Sequence, residues 1–505
     1  MQGSPGNNAA RTDPASGLAE RVTALTRQLG RPVRVLQLGN VANYAYVNAL
    51  LLRQAGIEAD VLDPDFYHIM ATPEWHGADF EAGFADQFLP RWSGVRPAGF
   101  ERPPWFVQGP LVPALAALEA RAAARPLPVR ALAALDLDLS VRRVTGDYAG
   151  AASRWWLSDP GLPARLARAP VAALIRLARW LRGPAGEAPA MPAGFPPDLA
   201  APPELRARLA RLMAHYDIVQ GWTLSAQLAA QAGHRRYVAC ELGTLRGLPW
   251  QDTPEGRLAA WLYRSAPEVF VTNSDCLPLA ARLGVAPERT TPILHPYDLA
   301  SIPQAPAPPA PPGPDGPILL APARHHWTSG SGAWLKGNDV YLRALGRLAA
   351  QGRPFRLVTV RWGAEVAQSQ ALIEELGFAD RVTWVEPAPR MAMWRAYGGA
   401  AAVLDQFAAE TFGGAGLDTM AAGRRLITRF DPATALPFFQ NQPPLTAVTG
   451  VDGTTAAIAA VLDDPEDRTG GGAALRDWLL DEFQLDRQLG PQLTAYERLL
   501  RNDPA

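Results

Sequence analysis

The sequence predicts an α/β protein of two Rossmann-like halves, each built on a parallel sheet, that face one another across a cleft. Three observations lead there. Short apolar segments alternate with helical ones in both halves of the chain, the pattern of repeated βαβ units. The stretch SIPQAPAPPAPPGPDG, residues 301–316, separates the halves; its prolines lack backbone donors and favour an extended, semi-rigid connector. The length of 505 residues exceeds what a single hydrophobic core usually holds.

In the first half, VRVLQLGNVANYAYVNALLLRQAGIEADVLD reads as a buried strand, a glycine turn at Gly39, an amphipathic helix stopped by Gly56 and a second strand. YDIVQGW, YVACELG, VFVTNSD and TTPILHPYD follow as further strands. Residues 1–30 read as a flexible leader ahead of a domain spanning 31–300. About residues 80–200 break the rhythm, are rich in Pro, Arg and Trp (Trp92, Trp105, Trp155, Trp156), and read as a helical insertion. Within it, the 171–182 segment places Arg176, Arg179 and Arg182 on one helical face and leucines on the other. Such a face reads first as a packed surface helix with solvated arginines, and also suits an anionic membrane surface. The second domain, 317–475, restarts with PILLAPAR, FRLVTVRWG, VTWVEPA, AAVLDQF and RRLITRFD, and a helical segment, 476–505, is free to pack on either half.

Composition removes several classes. Hydrophobic residues are 48% of the chain, charged residues 19%, and the formal net charge is −1; this is a globular composition with no global field for nucleic acid. Cys240 and Cys276 sit in apolar contexts without metal-ligand spacing and read as buried thiols of a reducing compartment. No secretory pattern opens the chain, and no apolar run approaches the roughly 18–20 residues that span a bilayer. The expectation is a cytoplasmic protein, with peripheral attachment to a membrane open. DLD at Asp136 and Asp138 falls in the insertion and reads as a solvated segment rather than a metal site, and no metal is expected. His325 and His326 are adjacent and point different ways, which argues against a shared metal and leaves one of them to face the cleft.

The chemistry concentrates in LDQFAAETFGGAGLDTMAAGRRLIT. Glu410 lies on a loop, Gly413, Gly414 and Gly416 lead into a helix, and Asp418 follows Glu410 after seven intervening residues. Glycines before a helix let backbone N–H groups approach an anion, whose charge the helix N-terminus favours. Carboxylates on either side accept hydrogen bonds from vicinal hydroxyls. A phosphate with polyols at both ends is a nucleotide sugar. The chain also has a single lysine, Lys336, although arginine serves everywhere else.

The stretch resembles the E-x7-E motif of retaining glycosyltransferases of the family-four type, which have the GT-B fold. VTNSD, ILHPYD, APARHHW with LKG, and DTMAAGRRLIT stand in the order that family has them. The likeness covers about residues 33–63 and 215–465. It implies that Glu410 contacts the donor sugar, that Asp418 holds the ribose, and that Arg324 and Lys336 bind the donor diphosphate. Gly413 and Gly414 line the donor, and Gly39 sits opposite it. Transfer from a nucleotide sugar to a glycan, lipid-linked or small-molecule hydroxyl, without metal or other cofactor, is the implied activity. Two departures stand out: Asp418 is shorter than the family's glutamate, and Leu242 occupies a position that is often histidine. Glu241 and Arg246 remain as cleft residues there. Two alternatives stay open: a GT-B protein that binds without catalysing, and an NAD-dependent oxidoreductase. The latter lacks its fingerprint, since GNVANYAY has one glycine where G-x-G-x-x-G needs three.

Overall fold

The computed structural model describes residues 14–64, 71–78, 100–135, 187–302, 313, 315–328 and 335–502. The basic face at 171–182, the DLD pair and most of the proline-rich connector lie outside them.

Each half is a parallel sheet. The first comprises β1 (Arg34–Leu38), β2 (Glu58–Asp63), β3 (Phe106–Gln108), β4 (Ile218–Trp222), β5 (Tyr237–Glu241), β6 (Glu268–Val271) and β7 (Thr290–Pro292), in the order β3-β2-β1-β4-β5-β6-β7. The second comprises β8 (Ile318–Ala321), β9 (Arg356–Val360), β10 (Val382–Val385), β11 (Ala402–Leu404), β12 (Arg425–Thr428) and β13 (Thr446–Ala447), ordered β10-β9-β8-β11-β12-β13. Both run outward from their first strand in one direction and then restart on its other side. The strand order therefore reverses beside β1 and β8, and ligands of open α/β sheets bind at such switch points, beyond the strands' carboxyl ends. Buried runs such as RVLQL and ILLA fit strands covered on both faces by helices.

Three sequence expectations are revised. Residues 14–29 are not a leader: Pro14–Leu29 is a helix whose Leu18, Val22 and Leu25 are buried. These positions follow helical spacing, and Arg21 donates to Glu497 at 3.0 Å. The insertion is not foreign to the sheet throughout. β3 pairs in parallel with β2, the helix Leu111–Ala122 packs beside it, and Trp105 stacks on Tyr46 at 5.3 Å in the core. Finally, the last helix, Leu485–Asn502, returns to the first domain. Leu489, Leu493 and Tyr496 join the core of β1 and β4, the Tyr496 hydroxyl donates to Gln220, and Gln492 donates to Asn48 at 3.0 Å. Both cysteines are free and buried. No helix among the described residues is long and apolar enough to cross a membrane.

Candidate functional site

The carboxyl ends of both sheets meet at one seam, where the Ser274 hydroxyl donates to the Glu410 carbonyl at 3.3 Å. Each element delivers its residue there for a local reason. Gly39, just after β1, has φ +73°, and an added Cβ would lie 2.5 Å from Ser225 Oγ. The glycine is thus required by the turn's own packing. What the turn presents to the seam is Tyr44, reached through Ala42 and Asn43 at φ 50° and 63°. Non-glycine residues at positive φ are strained, and here Asn43 is held by its donation to the Thr72 carbonyl at 2.6 Å.

Lys336 precedes the helix Asn338–Ala350 and is tied to the loop after β11, since Phe407 N–H donates to its carbonyl at 2.9 Å. Gly337, at φ +68°, allows this approach; a Cβ there would meet Ala408 N at 3.0 Å. Burial pushes the Lys336 ammonium down to about 8, with Arg324 and Arg246 repelling it and Asp405 attracting it. Among the described residues no hydrogen bond or ion pair engages that ammonium. Arg324 comes from the end of β8, and Arg246 from the other domain, where it forms a bidentate pair with Asp275 at 2.6 and 2.7 Å. Two arginines, one from each domain, therefore act on Lys336.

Next to them the helix Gly414–Ala421 begins. Among the described residues, an added Cβ at Gly413 or Gly414 meets nothing within 4 Å, and Gly413 has ordinary extended dihedrals (φ −116°, ψ −156°). Neither packing nor backbone requires glycine at these two positions; the space lies at a helix N-terminus, where anions are favoured. Gly416 differs, because its Cβ would come 2.9 Å from that of Phe412.

The other expected residues divide. Glu410 accepts from Arg429 at 2.5 Å, with its side chain 38% exposed at the seam. Asp418 is clamped: Arg390 donates to Oδ1 from Nη2 at 2.9 Å and from Nε at 3.1 Å, and the Tyr297 hydroxyl donates at 2.8 Å. Only a 3.3 Å contact from Arg390 reaches Oδ2, so that oxygen keeps acceptor capacity. Glu241 turns inward instead of lining the cleft, accepting the Gly243 and Leu245 N–H groups at 2.5 and 3.0 Å. His325 also leaves the cleft, with its ring nitrogens 2.8 Å from Ser369 Oγ and 3.1 Å from Thr359 Oγ1. Thr359 spends its proton on the Ala321 carbonyl, which makes His325 the Nε2–H tautomer; burial pushes it down to about 4. The backbone N–H of His326 donates to Asn338 Oδ1 at 3.0 Å, and the residue is buried.

Besides Tyr44, two residues at the seam escaped sequence reasoning. Asp405, at the end of β11, is 4% exposed; burial raises its pKa, against Lys336 and the Gly416 N–H. His295, beyond β7, stacks on Tyr44. Elsewhere, a cavity of about 250 Å³ lined by Arg34, Arg53, Glu58, Asp60, Arg121 and Tyr216 opens at the opposite, amino ends of β1 and β2. Four of its charges are paired internally, Arg34 with Glu58 and Arg121 with Asp60, and Arg53 donates to the Ala59 carbonyl at 3.1 Å.

No protein-family model matches the chain. Sucrose-phosphate synthase from Thermosynechococcus elongatus superimposes with a TM-score of 0.52 at 14% identity, covering 93% of this chain and 100% of that one. The fold is GT-B. The 2-deoxystreptamine glucosyltransferase of Streptomyces kanamyceticus is 28% identical over 166 residues, 33% of this chain. The match spans less than half, 43%, of that relative's length. In this fold the seam described above is the space between the two Rossmann-like domains, and the cations and the glycine-led helix face it from both sides.

Proposed function

We propose that the protein is a retaining glycosyltransferase, which moves a sugar from a nucleoside-diphosphate donor to a hydroxyl of a glycan, lipid-linked or small-molecule acceptor. The observation that carries this reading is the field of Arg324 and Arg246, from two domains, on Lys336, together with Asp405, which interacts with that lysine and with the Gly416 N–H in the first turn of Gly414–Ala421. As the bond between the sugar and the diphosphate breaks, negative charge grows on the leaving oxygen. Fixed cations and helix N–H groups stabilise that charge without having to reorganise, so no divalent ion is needed. The acceptor oxygen bonds to the anomeric carbon on the face the diphosphate leaves, and its proton passes to the departing phosphate. Glu410, flanked by Arg429, faces the donor sugar. The likeness to a glucosyltransferase over a third of the chain supports the same reading, and a cytoplasmic setting suits a nucleotide-sugar donor. The arginine face of 171–182 belongs to this proposal as a surface for anionic membrane, to be tested by vesicle flotation of an Arg176, Arg179 and Arg182 to Gln variant.

A thermal-shift series with UDP, GDP, ADP and dTDP, followed by assay of donor hydrolysis, tests the central claim. A nucleotide at 100 times its dissociation constant stabilises by ~2.7 kcal/mol. A melting temperature unmoved by every nucleotide overturns the reading, and binding without any hydrolysis or transfer leaves a binding protein in its place.

A further inference from the structure

Beyond β7 the chain carries His295 into the seam, 93% buried as judged by its 7% exposure. Its ring stacks on Tyr44, with centroids 5.1 Å apart and planes at 25°. Tyr44 continues the stack onto Trp222 at 6.0 Å and 23°. Among the described residues, neither ring nitrogen of His295 has a hydrogen-bond partner. The charged groups acting on it are Arg246 and Asp275, which are paired with each other. Burial first, and then Arg246, push the imidazole down to about 4, so at neutral pH it carries one donor and one acceptor. A buried donor and acceptor left without partners destabilise a fold, and such groups are retained where a ligand uses them.

The neighbours define the ligand. Arg246 acts on both His295 and Lys336, so the imidazole shares that arginine's field with the lysine of the proposed diphosphate site. The Tyr44 hydroxyl senses Asp418 and Asp405 of the second domain, so the aromatic stack reaches across the seam. A phosphate would call for a cation, and the ring is neutral. A nucleobase would call for an open aromatic face, and one face is taken by Tyr44. A sugar offers adjacent hydroxyls that each donate and accept, matching both nitrogens.

We propose that His295 is a sugar-recognition residue, its stacked imidazole donating to one hydroxyl and accepting from another on a sugar lying beside the diphosphate. This rests on the glycosyl-transfer reading above. The sugar belongs to the donor or to the acceptor, and the two are separable.

The test compares wild-type protein with His295→Phe, which keeps the stack on Tyr44 and removes both nitrogens. His295→Leu guards against a variant that fails on ring size. With UDP and UDP-glucose, and the corresponding GDP, ADP and dTDP pairs, calorimetry gives the affinity added by the sugar. At least one variant is expected to melt at or above the wild-type temperature, because no internal hydrogen bond is lost. If the sugar is the donor's, nucleotide-sugar affinity falls by roughly three- to tenfold while diphosphate affinity holds. If it is the acceptor's, donor affinity holds and the acceptor KM rises by a similar factor. Three results overturn the proposal: a fall of several degrees in both variants, an equal loss of affinity for the diphosphate alone, or binding and kinetics indistinguishable from wild type. Wild-type protein that binds none of the nucleotides overturns the glycosyl-transfer reading itself, and this proposal falls with it.

Discussion

At the scale of single residues, the lone lysine has a physical account. Lysine is a compact charge on a flexible stem and arginine a broad planar fork; with Arg324 and Arg246 already acting at the site, a third guanidinium has little room. Lys336→Arg is expected to lose most transfer activity while keeping the charge, measured as kcat/KM. Because Lys336 is the sole lysine, an amine-reactive reagent followed by peptide mass spectrometry reads its titration directly. Modification should rise with a midpoint of about 8. A bound nucleoside diphosphate favours the charged form, so it should move that midpoint upward and slow labelling at neutral pH; a midpoint near the ordinary lysine value, or one indifferent to nucleotide, contradicts the assignment. Lys336 stands out in the sequence because it is rare, and Glu410 because a glycine turn follows it. Asp405, Tyr44 and His295 do not. Their significance comes from burial and from charges brought across two domains, and no local pattern carries that information. His325 and Glu241 misled for the same reason, being polar residues at strand ends whose partners, Ser369 and Thr359 for one and the Gly243 turn for the other, are set by tertiary packing.

At the scale of elements, alternation of apolar and helical segments located eleven of the strands because each is an apolar run bounded by turns. It missed β3, three residues inside the Pro- and Trp-rich segment, and β13, two exposed residues; β7 and β11 are as short as β3 but adjoin further apolar residues in ILHPYD and AAVLDQF. The first helix went unread because its polar residues mask a stripe of Leu18, Val22 and Leu25. The glycines of the Gly414–Ala421 helix were read as one group, and the structure separates them. Gly414→Ala adds helix propensity, about 1 kcal/mol at most, in space where, among the described residues, the added Cβ meets nothing within 4 Å. It should therefore leave thermal stability equal or higher while weakening nucleotide binding severalfold by calorimetry. Unchanged affinity would show that no anion approaches the helix there. Gly39→Ala should behave oppositely. Its left-handed φ and the 2.5 Å approach to Ser225 Oγ cost about 1–2 kcal/mol or more, seen in urea denaturation, and Ser225→Gly should recover only the steric part.

At the scale of the whole molecule, the two sheets are held in register by a few polar contacts around Asp418. Tyr297 and Ser301 come from the end of the first domain, and Arg390 and Asp418 from two helices of the second. Arg390 donates to Asp418, to Ser301 at 2.9 Å and to Tyr297 at 3.2 Å. Gln488 of the returning helix joins the same segment, accepting from Tyr297 N–H and donating to its carbonyl, both at 2.9 Å. The side chains of Arg390 and Asp418 are 9% and 13% exposed, so the pair is buried and its loss is asymmetric. Removing one partner strands the other charge in a poorly solvated site, at a cost of about 3–5 kcal/mol, whereas replacing both with apolar residues is often neutral. Asp418→Ala should accordingly unfold at clearly lower denaturant, and Asp418→Leu with Arg390→Met should recover most of the difference. A double-mutant cycle measures that coupling. If Asp418 instead serves chiefly as a ribose acceptor, Asp418→Ala would keep its stability and lose nucleotide affinity alone. The cycle therefore decides whether this carboxylate's main work is to join the domains or to hold the ligand between them. Recovery of stability in the double variant without recovery of transfer would show that the pair, once satisfied internally, also sets how the two faces of the seam meet.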